Sequence, residues 1–263
     1  MILLTPVLIL SLSTDAFKIL VYNPKTAYSH SSFTGRIADL LVDAGHDVTS
    51  LIPVLKKRVP DGTTKSKLIY IHPQNAQVEE ITEQKFNYFD NDVFHYNGAA
   101  KRGNVLKEIY STMCRDILSR TELLKNLKDQ KFDVYIGESF DACAIGLAGV
   151  FNPKSVILTS TTFFYGYHND DFGIPPSLSF NPSLATSSIN VHSIVDRAYN
   201  IYAHFVAKSF FHPTRFGVEQ VFKDIHGPSF PSLQEISSRV AYAFENTEPL
   251  IEFAHPTLHR VIS

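Results

Sequence analysis

The chain has 263 residues, and its 44% hydrophobic content is enough to build one large α/β domain or two small ones around a sizeable core. The formal net charge is −2 at pH 7, and the sequence shows no basic stripe with interleaved aromatic residues, which excludes an electrostatic case for nucleic-acid binding. The basic run at residues 56–58 is typical of a solvated loop.

Residues 1–16 are predicted to form a secretory signal peptide that is cut near Ala16. The opening stretch is apolar but too short to span a bilayer comfortably, and small and polar residues follow it. Because a basic start is lacking, an uncleaved anchor or a first buried strand is kept as an alternative. No later segment reaches about 18 consecutive apolar residues, so no second membrane segment is expected in this sequence. The signal peptide predicts entry into the endoplasmic reticulum.

Residues 18–51 have the pattern of a strand, a loop, a helix and a second strand. The apolar run at 19–22 stops at an Asn-Pro pair, as a buried parallel strand does. Apolar residues then recur at helical spacing over 33–44, and 47–52 has the pattern of the second strand. This βαβ unit should have a right-handed crossover.

The helix of this unit is predicted to start with Ser31 or Ser32 as its N-cap and to end at Gly45. These bounds place His30 in the loop between the first strand and the helix. Imidazole titrates near pH 6.5 and accepts a proton at neutral pH, so His30 is the leading candidate for a catalytic base.

The rest of the chain alternates between strand and helix patterns. Further strands are predicted at 67–72, 131–137, 155–159 and 240–245, and helices at 105–127, 143–151 and 191–211. Residues 76–102 indicate irregular helices or a loop, and residues 163–188 indicate a long loop that would serve a site. Strands that alternate with helices indicate an α/β fold with a doubly wound, Rossmann-like parallel sheet.

The sequence offers no metal site and no cofactor motif. Cys114 and Cys143 are the two cysteines, and they are predicted to be buried free thiols. His255 and His259 stand at i and i+4 but lack the Glu and the third ligand of a zinc helix. Neither Gly-x-Gly-x-x-Gly nor a P-loop is present, so this chain is predicted to bind no cofactor.

A histidine and a carboxylate are predicted to meet at one edge of the sheet. In the usual doubly wound order the first and fourth strands are neighbours, and ligands sit outside their carboxyl ends. His30 follows the first strand, and Glu138 follows the fourth. A carboxylate on one ring nitrogen would fix the tautomer of the base and stabilise the imidazolium. Asp141 is the alternative, since it could orient the histidine or cap the next helix.

Simpler interpretations stand beside this one. His30 could be a structural or solvated histidine, and Glu138 could cap the helix that follows it. The nucleophile elbow Gly-x-Ser-x-Gly is absent, so a hydroxyl activated by the base would belong to the substrate.

Four segments together resemble landmarks of the UDP-glucuronosyltransferase family, in the family's order. They are KILVYNP…YSHSSFTGRIADLLVDAGHDVTSLIP, FDVYIGESFDACAIGLA, PPSLSFNP and ENTEPLIEFAHPTLHRVIS. These segments extend over nearly the whole chain. The resemblance implies a glycosyltransferase B fold, in which a first Rossmann-like domain binds the acceptor and a second binds the UDP-sugar.

The resemblance also implies roles for single residues. By position, His30 matches the catalytic base of the family, and Glu138 matches the carboxylate that partners it. The family usually has Asp there, so either the extra methylene of Glu138 is absorbed or Asp141 takes the role. Cys143 follows Glu138 by five residues, as in the family.

The acceptor site is expected to be largely aromatic, because pockets for small lipophilic molecules are mostly apolar with a few polar groups. Residues 163–211 are predicted to supply much of it, with ordinary core packing as the alternative for any single ring. The candidate acceptor-contacting residues are Tyr28, Phe33, Phe163, Phe164, Tyr199 and Tyr202.

The resemblance assigns residues 17–263 to the N-terminal acceptor-binding domain. The family's UDP-sugar domain and C-terminal membrane helix are not in this sequence, so UDP-glucuronate or UDP-glucose would be the donor of a complete enzyme. This half is predicted to be inactive alone. Its expected partners are a small lipophilic acceptor, the donor through the second domain, a membrane through the C-terminal helix, and a second copy in a homo-oligomer.

The predicted reaction is inverting transfer of the sugar to an acceptor hydroxyl. A non-catalytic lipophile-binding or regulatory fragment is the first alternative. A nucleotide-dependent oxidoreductase on the same fold is the second, and the missing glycine fingerprint argues against it.

Overall fold

The computed structural model of the protein describes residues 16–74, 95–162, 166–184, 186, 190–248, 250 and 252–263. Residues 1–15 of the expected signal peptide lie outside the described residues, as do the predicted acceptor residues Phe163 and Phe164. The described residues form a seven-stranded sheet in which all neighbouring strands run parallel.

Strands and helices alternate along most of the chain. The strands are β1 Lys18–Tyr22, β2 Asp47–Pro53, β3 Lys67–Ile71, β4 Val134–Glu138, β5 Ser155–Ser160, β6 Tyr242–Glu245 and β7 Val261–Ile262. The helices are α1 Tyr28–Asp43, α2 Tyr96–Ser119, α3 Thr121–Asp129, α4 Ala142–Phe151, α5 Gly166–Phe172, α6 Ile194–His226 and α7 Leu233–Ser238.

The strand order is β3-β2-β1-β4-β5-β6-β7, so the chain winds outward in both directions from the adjacent strands β1 and β4. Val21 pairs with Ile136, and Tyr22 pairs with Gly137. The carboxyl ends of β1 and β4 therefore lie side by side. This confirms the predicted doubly wound sheet and its switch point.

The core lies on both faces of the sheet, as the alternation of β1 shows. Leu20 and Tyr22 belong to the larger hydrophobic cluster, which includes residues of α2, α4 and α6. Ile19 and Val21 point to the opposite face and belong to a smaller cluster with Ala38 of α1. A strand that is buried on both faces needs a continuous apolar run, which is what the sequence of β1 provides.

Helix α1 begins at Tyr28, earlier than predicted, and the expected N-cap at Ser31 or Ser32 is wrong. The N-cap is Ala27, which makes no side-chain cap, and the Ser31 hydroxyl donates to the Tyr28 carbonyl inside the helix. His30 therefore lies in the first turn of α1 and not in the preceding loop.

Backbone bonds to β2 explain this early start. The N–H groups of Asn23 and Lys25 donate to the carbonyls of Leu51 and Pro53, both at 2.9 Å, so the chain turns into the helix shortly after β1 ends. The predicted end of α1 is right, because Gly45 follows it with a φ of +91°.

The loop between β2 and β3 packs closely on α1 through two glycines. A Cβ on Gly35 would lie 2.2 Å from the Gly62 carbonyl carbon, and Gly62 itself has a φ of +74°. Asp39 of α1 accepts bonds from the backbone N–H groups of Thr64 and Lys65, both at 3.0 Å, and from the Thr63 hydroxyl. These contacts fix α1, and with it His30, against the sheet edge.

Several predicted helix bounds are wrong. The single helix at 105–127 is two helices, because the backbone breaks at Arg120, whose guanidinium donates to the His72 carbonyl at 2.9 Å. Helix α5 lies in the stretch predicted as a loop. Helix α6 runs through Pro213 to His226. It packs closely on α2, where a Cβ on Gly103 would lie 2.5 Å from the Phe210 carbonyl oxygen.

The prediction of two free thiols is also wrong. Cys114 of α2 and Cys143 of α4 form a disulfide, with Cα atoms 5.6 Å apart. The two residues are 29 positions apart in sequence. Only the packing of the two helices brings them within bonding distance.

Candidate active site

His30 and Glu138 lie together at the carboxyl edge of β1 and β4. The Nδ1 atom of His30 is 3.1 Å from Oε1 of Glu138. The Glu138 side chain is completely buried, whereas 15% of the His30 side chain is exposed. Glu138 is the last residue of β4 and not the first of the loop, so its backbone is fixed by pairing with Thr159 of β5.

The contact between these two side chains is close but not straight. Among the described residues, neither Nδ1 of His30 nor either Glu138 oxygen has a well-aligned hydrogen-bond partner, although 3.1 Å is an ion-pair distance. Catalytic hydrogen bonds are often misaligned without substrate and tighten when it binds. Nδ1 is buried, so the exposed part of the ring faces away from Glu138.

The electrostatics of the site favour a protonated ring. Burial lowers the pKa of His30, but the negative charge of Glu138 and its close contact with the ring together raise it by more, and Asp141 adds to the rise. The net result is a pKa above the ordinary value of 6.5. An imidazolium formed here is therefore stabilised, as a base that accepts a proton during reaction requires.

Asp141 has a different position from Glu138. It is the N-cap of α4, where Oδ1 accepts from the Cys143 N–H at 3.0 Å, and its Oδ2 accepts from the Tyr22 hydroxyl at 2.6 Å. Burial raises the pKa of Asp141 to about 7, despite the lowering effect of these two hydrogen bonds. Of the two carboxylates, Glu138 is the one at ion-pair distance from His30.

An aromatic wall stands beside the histidine. The Phe140 ring centroid is 4.9 Å from that of His30. The ring centroids of Tyr110 and Phe211 lie 6.2 Å and 6.0 Å from that of Phe140. Behind Phe140 is a cavity of about 20 Å³, roughly the size of one water molecule. Sequence reasoning missed Phe140, although its place between Glu138 and Asp141 was the available signal.

The predicted acceptor residues divide into two groups. Tyr28 is 69% exposed at the start of α1, and Phe33 is half-buried one turn after His30. Tyr199 and Tyr202 are exposed near the start of α6, with ring centroids 6.0 Å apart. They precede Phe211 along the helix by roughly 18 and 14 Å, so they do not join the aromatic wall.

The described residues contain no candidate metal site. Within them, no group of three or more His, Cys, Asp or Glu side chains could hold a metal ion. Nor does any helix in that part of the chain have the length and apolar character needed to cross a membrane.

Comparison with solved structures identifies the fold. Spinosyn rhamnosyltransferase SpnG has a TM-score of 0.51 at 12% identity, and the match covers 93% of this chain and 49% of that one. At this identity the likeness shows the fold alone. The sheet is the α/β Rossmann-like N-terminal domain of a glycosyltransferase B fold, as the sequence predicted.

The sequence comparisons identify the family. The sequence pattern described as "UDP-glucoronosyl and UDP-glucosyl transferase" matches residues 17–262, and the chain belongs to this family. It is 28% identical over 254 residues to ugt-47 of Caenorhabditis elegans and 26% identical over 262 residues to human UDP-glucuronosyltransferase 3A1. These matches cover 94% and 95% of the chain but only 46% and 48% of the relatives, so the chain spans about half their length.

Proposed function

We propose that this domain supplies the acceptor site and the general base of a UDP-sugar transferase that acts on hydroxyl groups of small lipophilic molecules. The observation that carries the proposal is the contact of His30 with the buried Glu138, at 3.1 Å, where β1 and β4 end. Family membership and the Rossmann-like fold support the reaction class.

In the proposed reaction, Nε2 of His30 removes the proton from the acceptor hydroxyl as its oxygen attacks the anomeric carbon of the sugar. The bond between that carbon and the UDP oxygen breaks, UDP leaves, and the configuration inverts. Nδ1 faces Glu138, whose charge stabilises the imidazolium as it forms. A positioned base of this kind contributes typically about 10²- to 10⁴-fold in rate.

The acceptor is proposed to lie against the aromatic wall, where Phe140 contacts His30. Tyr28 and Phe33 flank His30 on α1 and are proposed as the nearer acceptor contacts. Tyr199 and Tyr202 are proposed as distant contacts, reached only by a long acceptor, because of their separation from Phe211 along α6. Phe163 and Phe164 are kept as predicted acceptor contacts.

The donor is proposed to bind a second domain. The relatives are about twice as long as this chain, and UDP-glucuronate or UDP-glucose suits the family. Residues 17–263 are proposed as the acceptor-binding domain of such an enzyme, with residues 1–16 as a signal peptide. Membrane association through a C-terminal helix and a homo-oligomer belong to the same proposal.

The endoplasmic reticulum lumen is the proposed location. The disulfide between Cys114 and Cys143 supports it independently of the signal peptide, because such bonds persist in oxidising compartments and are rare in the cytosol.

The test is His30→Ala in a protein that joins this chain to a UDP-sugar domain. We expect unchanged UDP-sugar binding and a loss of transfer of roughly 10²-fold or more. His46→Ala, at the other end of α1, is the matched control and should transfer normally. Near-normal turnover of His30→Ala would reject His30 as the base.

A lipophile-binding role without catalysis is the second candidate, favoured by the aromatic rings of Phe140, Tyr110 and Phe211 beside His30. Titrating the chain alone with phenols, UDP-sugar and NAD separates the candidates. We expect only the phenols to bind. Tight NAD binding would support the oxidoreductase alternative instead, which the family match opposes.

A further inference from the structure

A buried hydroxyl–imidazole pair lies directly behind the candidate active site. The Ser139 hydroxyl donates to the Thr159 carbonyl at 2.8 Å and lies 3.0 Å from Nε2 of His168 on α5. Ser139 and His168 are 3% and 1% exposed, so water does not compete for these bonds. Ser139 stands between Glu138 and Phe140, the two residues that contact His30.

The direction of the bond follows from the number of protons. A serine hydroxyl has one proton, and here it goes to the Thr159 carbonyl, so the Ser139 hydroxyl oxygen can only accept from Nε2–H of His168. The Ser139 backbone also accepts a hydrogen bond from the His168 ring. Burial, together with the positive charge of Arg215, lowers the pKa of His168 to about 3. The ring is therefore neutral throughout the physiological range, and the bond does not change with pH there.

Helix α5 is itself anchored to its neighbours. Asp171 forms an ion pair with Arg215 of α6 at 2.5 Å, and the Gln234 side chain of α7 donates to the Asp170 carbonyl at 3.2 Å. The imidazole of His168 thus presents its donor from a fixed support.

We propose that His168 and Ser139 are positioning residues. They hold the segment 138–140 in place, so that Glu138 and Phe140 contact the imidazole of His30 and fix its orientation. The effect of this role on catalysis rests on the proposed function. The positioning of His30 can be measured in the chain without any transfer reaction.

The surroundings of Glu138 explain why its position depends on the hydroxyl–imidazole pair. Within the described residues, neither of its oxygens has a well-aligned hydrogen-bond partner, so its one polar contact there is the ion pair with His30. Pairing of β4 with β5 ends at Glu138 and Thr159, and the Ser139 N–H makes one more bond to Thr159 at 2.8 Å. The hydrogen bond between the Ser139 hydroxyl and the His168 imidazole fixes Ser139 through its side chain, just after strand β4 has ended.

The experiment compares Ser139→Ala, His168→Leu and His168→Gln, the last of which keeps a donor for Ser139. His204→Leu is the matched control, because it removes another buried histidine from a site on α6. The first readout is the titration of His30 by NMR in the 263-residue chain, with its signals assigned from His30→Gln. The charged groups that affect the pKa of His30 are Glu138, Asp141 and Lys56, and all three stay unchanged in these variants.

We expect Ser139→Ala and His168→Leu to lower the pKa of His30, because Glu138 no longer holds its place. His168→Gln and His204→Leu should leave it near that of the unchanged chain. An unchanged His30 pKa in both Ser139→Ala and His168→Leu overturns the proposal. Ser139→Ala removes one oxygen and keeps the backbone bond to Thr159, so it provides the decisive result if His168→Leu does not fold.

The second readout is transfer in the protein that carries a UDP-sugar domain. Misplacement of the base by about 1 Å can cost up to roughly 10²-fold, so Ser139→Ala should lower kcat by about tenfold or more with little change in the acceptor KM. A rise in KM at constant kcat would contradict a positioning role. If His30→Ala kept full transfer, the proposed function would fail, while the NMR titration would still decide the positioning.

Discussion

Replacement of Glu138 by Gln should separate the charge of this side chain from its shape. Nδ1 of His30 and Oε1 of Glu138 are 3.1 Å apart. At an effective dielectric constant of about 20, an imidazolium and a carboxylate at that distance attract by roughly 5 kcal/mol. This attraction sets a ceiling of about 10⁴-fold on the rate that the charge contributes.

The expected loss in Glu138→Gln is smaller than this ceiling. The amide oxygen of Gln can still accept from Nδ1–H, so we expect kcat to fall by about 10²- to 10³-fold with a smaller change in KM. Because Glu138 raises the pKa of His30, its removal should also move the acid limb of the pH–rate profile to lower pH. That limb reflects the neutral ring that acts as the base.

The assay is steady-state transfer from UDP-sugar to a phenol, measured as a function of pH in the protein with a UDP-sugar domain. Asp141→Asn is the paired variant and should lose less activity, since Asp141 is bonded to Tyr22 and Cys143. A kcat for Glu138→Gln within threefold of the unchanged protein would refute the reasoning. So would a larger loss in Asp141→Asn.

Three further predictions concern stability. Asp141 has a pKa of about 7 against an ordinary 3.8, so its contribution to the unfolding free energy is fully present below pH 3.8 and is lost as the pH rises through 7. This loss amounts to at most roughly 4 kcal/mol, and denaturant unfolding of Asp141→Asn should not show it. The same pH dependence of stability in Asp141→Asn and in the unchanged chain would contradict this prediction. Replacing both Cys114 and Cys143 by Ala should lower the unfolding free energy by roughly 3 to 4 kcal/mol, whereas no change on reduction of the unaltered chain would argue against the bond. Gly35→Ala should destabilise the folded chain by about 1–3 kcal/mol in thermal unfolding, because the new Cβ would meet the Gly62 backbone at 2.2 Å. Gly149→Ala is the control and should lower the stability less, since its Cβ would meet the flexible end of Ile236, at 2.8 Å.

The architecture could be predicted because it depends on local patterns. The apolar runs of β1, β4 and β5 have the length of a typical strand. Their alternation with helices restricts the sheet to few possible topologies. The order of the strands then followed from the doubly wound rule, which places His30 and Glu138 at one edge. Errors arose where a long-range bond decided a boundary. The backbone bonds of Asn23 and Lys25 to β2 start α1 early, and the Arg120 contact with His72 accompanies the break between α2 and α3.

The sequence alone determined the parallel sheet, the switch point and the sheet edge at which His30 and Glu138 meet, because strand and helix periods are properties of neighbouring residues. Only the tertiary structure decided which carboxylate reaches the imidazole, that Cys114 and Cys143 are bonded, and that Phe140 and the Ser139–His168 pair lie beside the site. Those contacts join residues from separate elements, and their geometry depends on how the helices pack on the sheet. No periodicity along the chain encodes a distance of 3.1 Å between two side chains that are over a hundred positions apart.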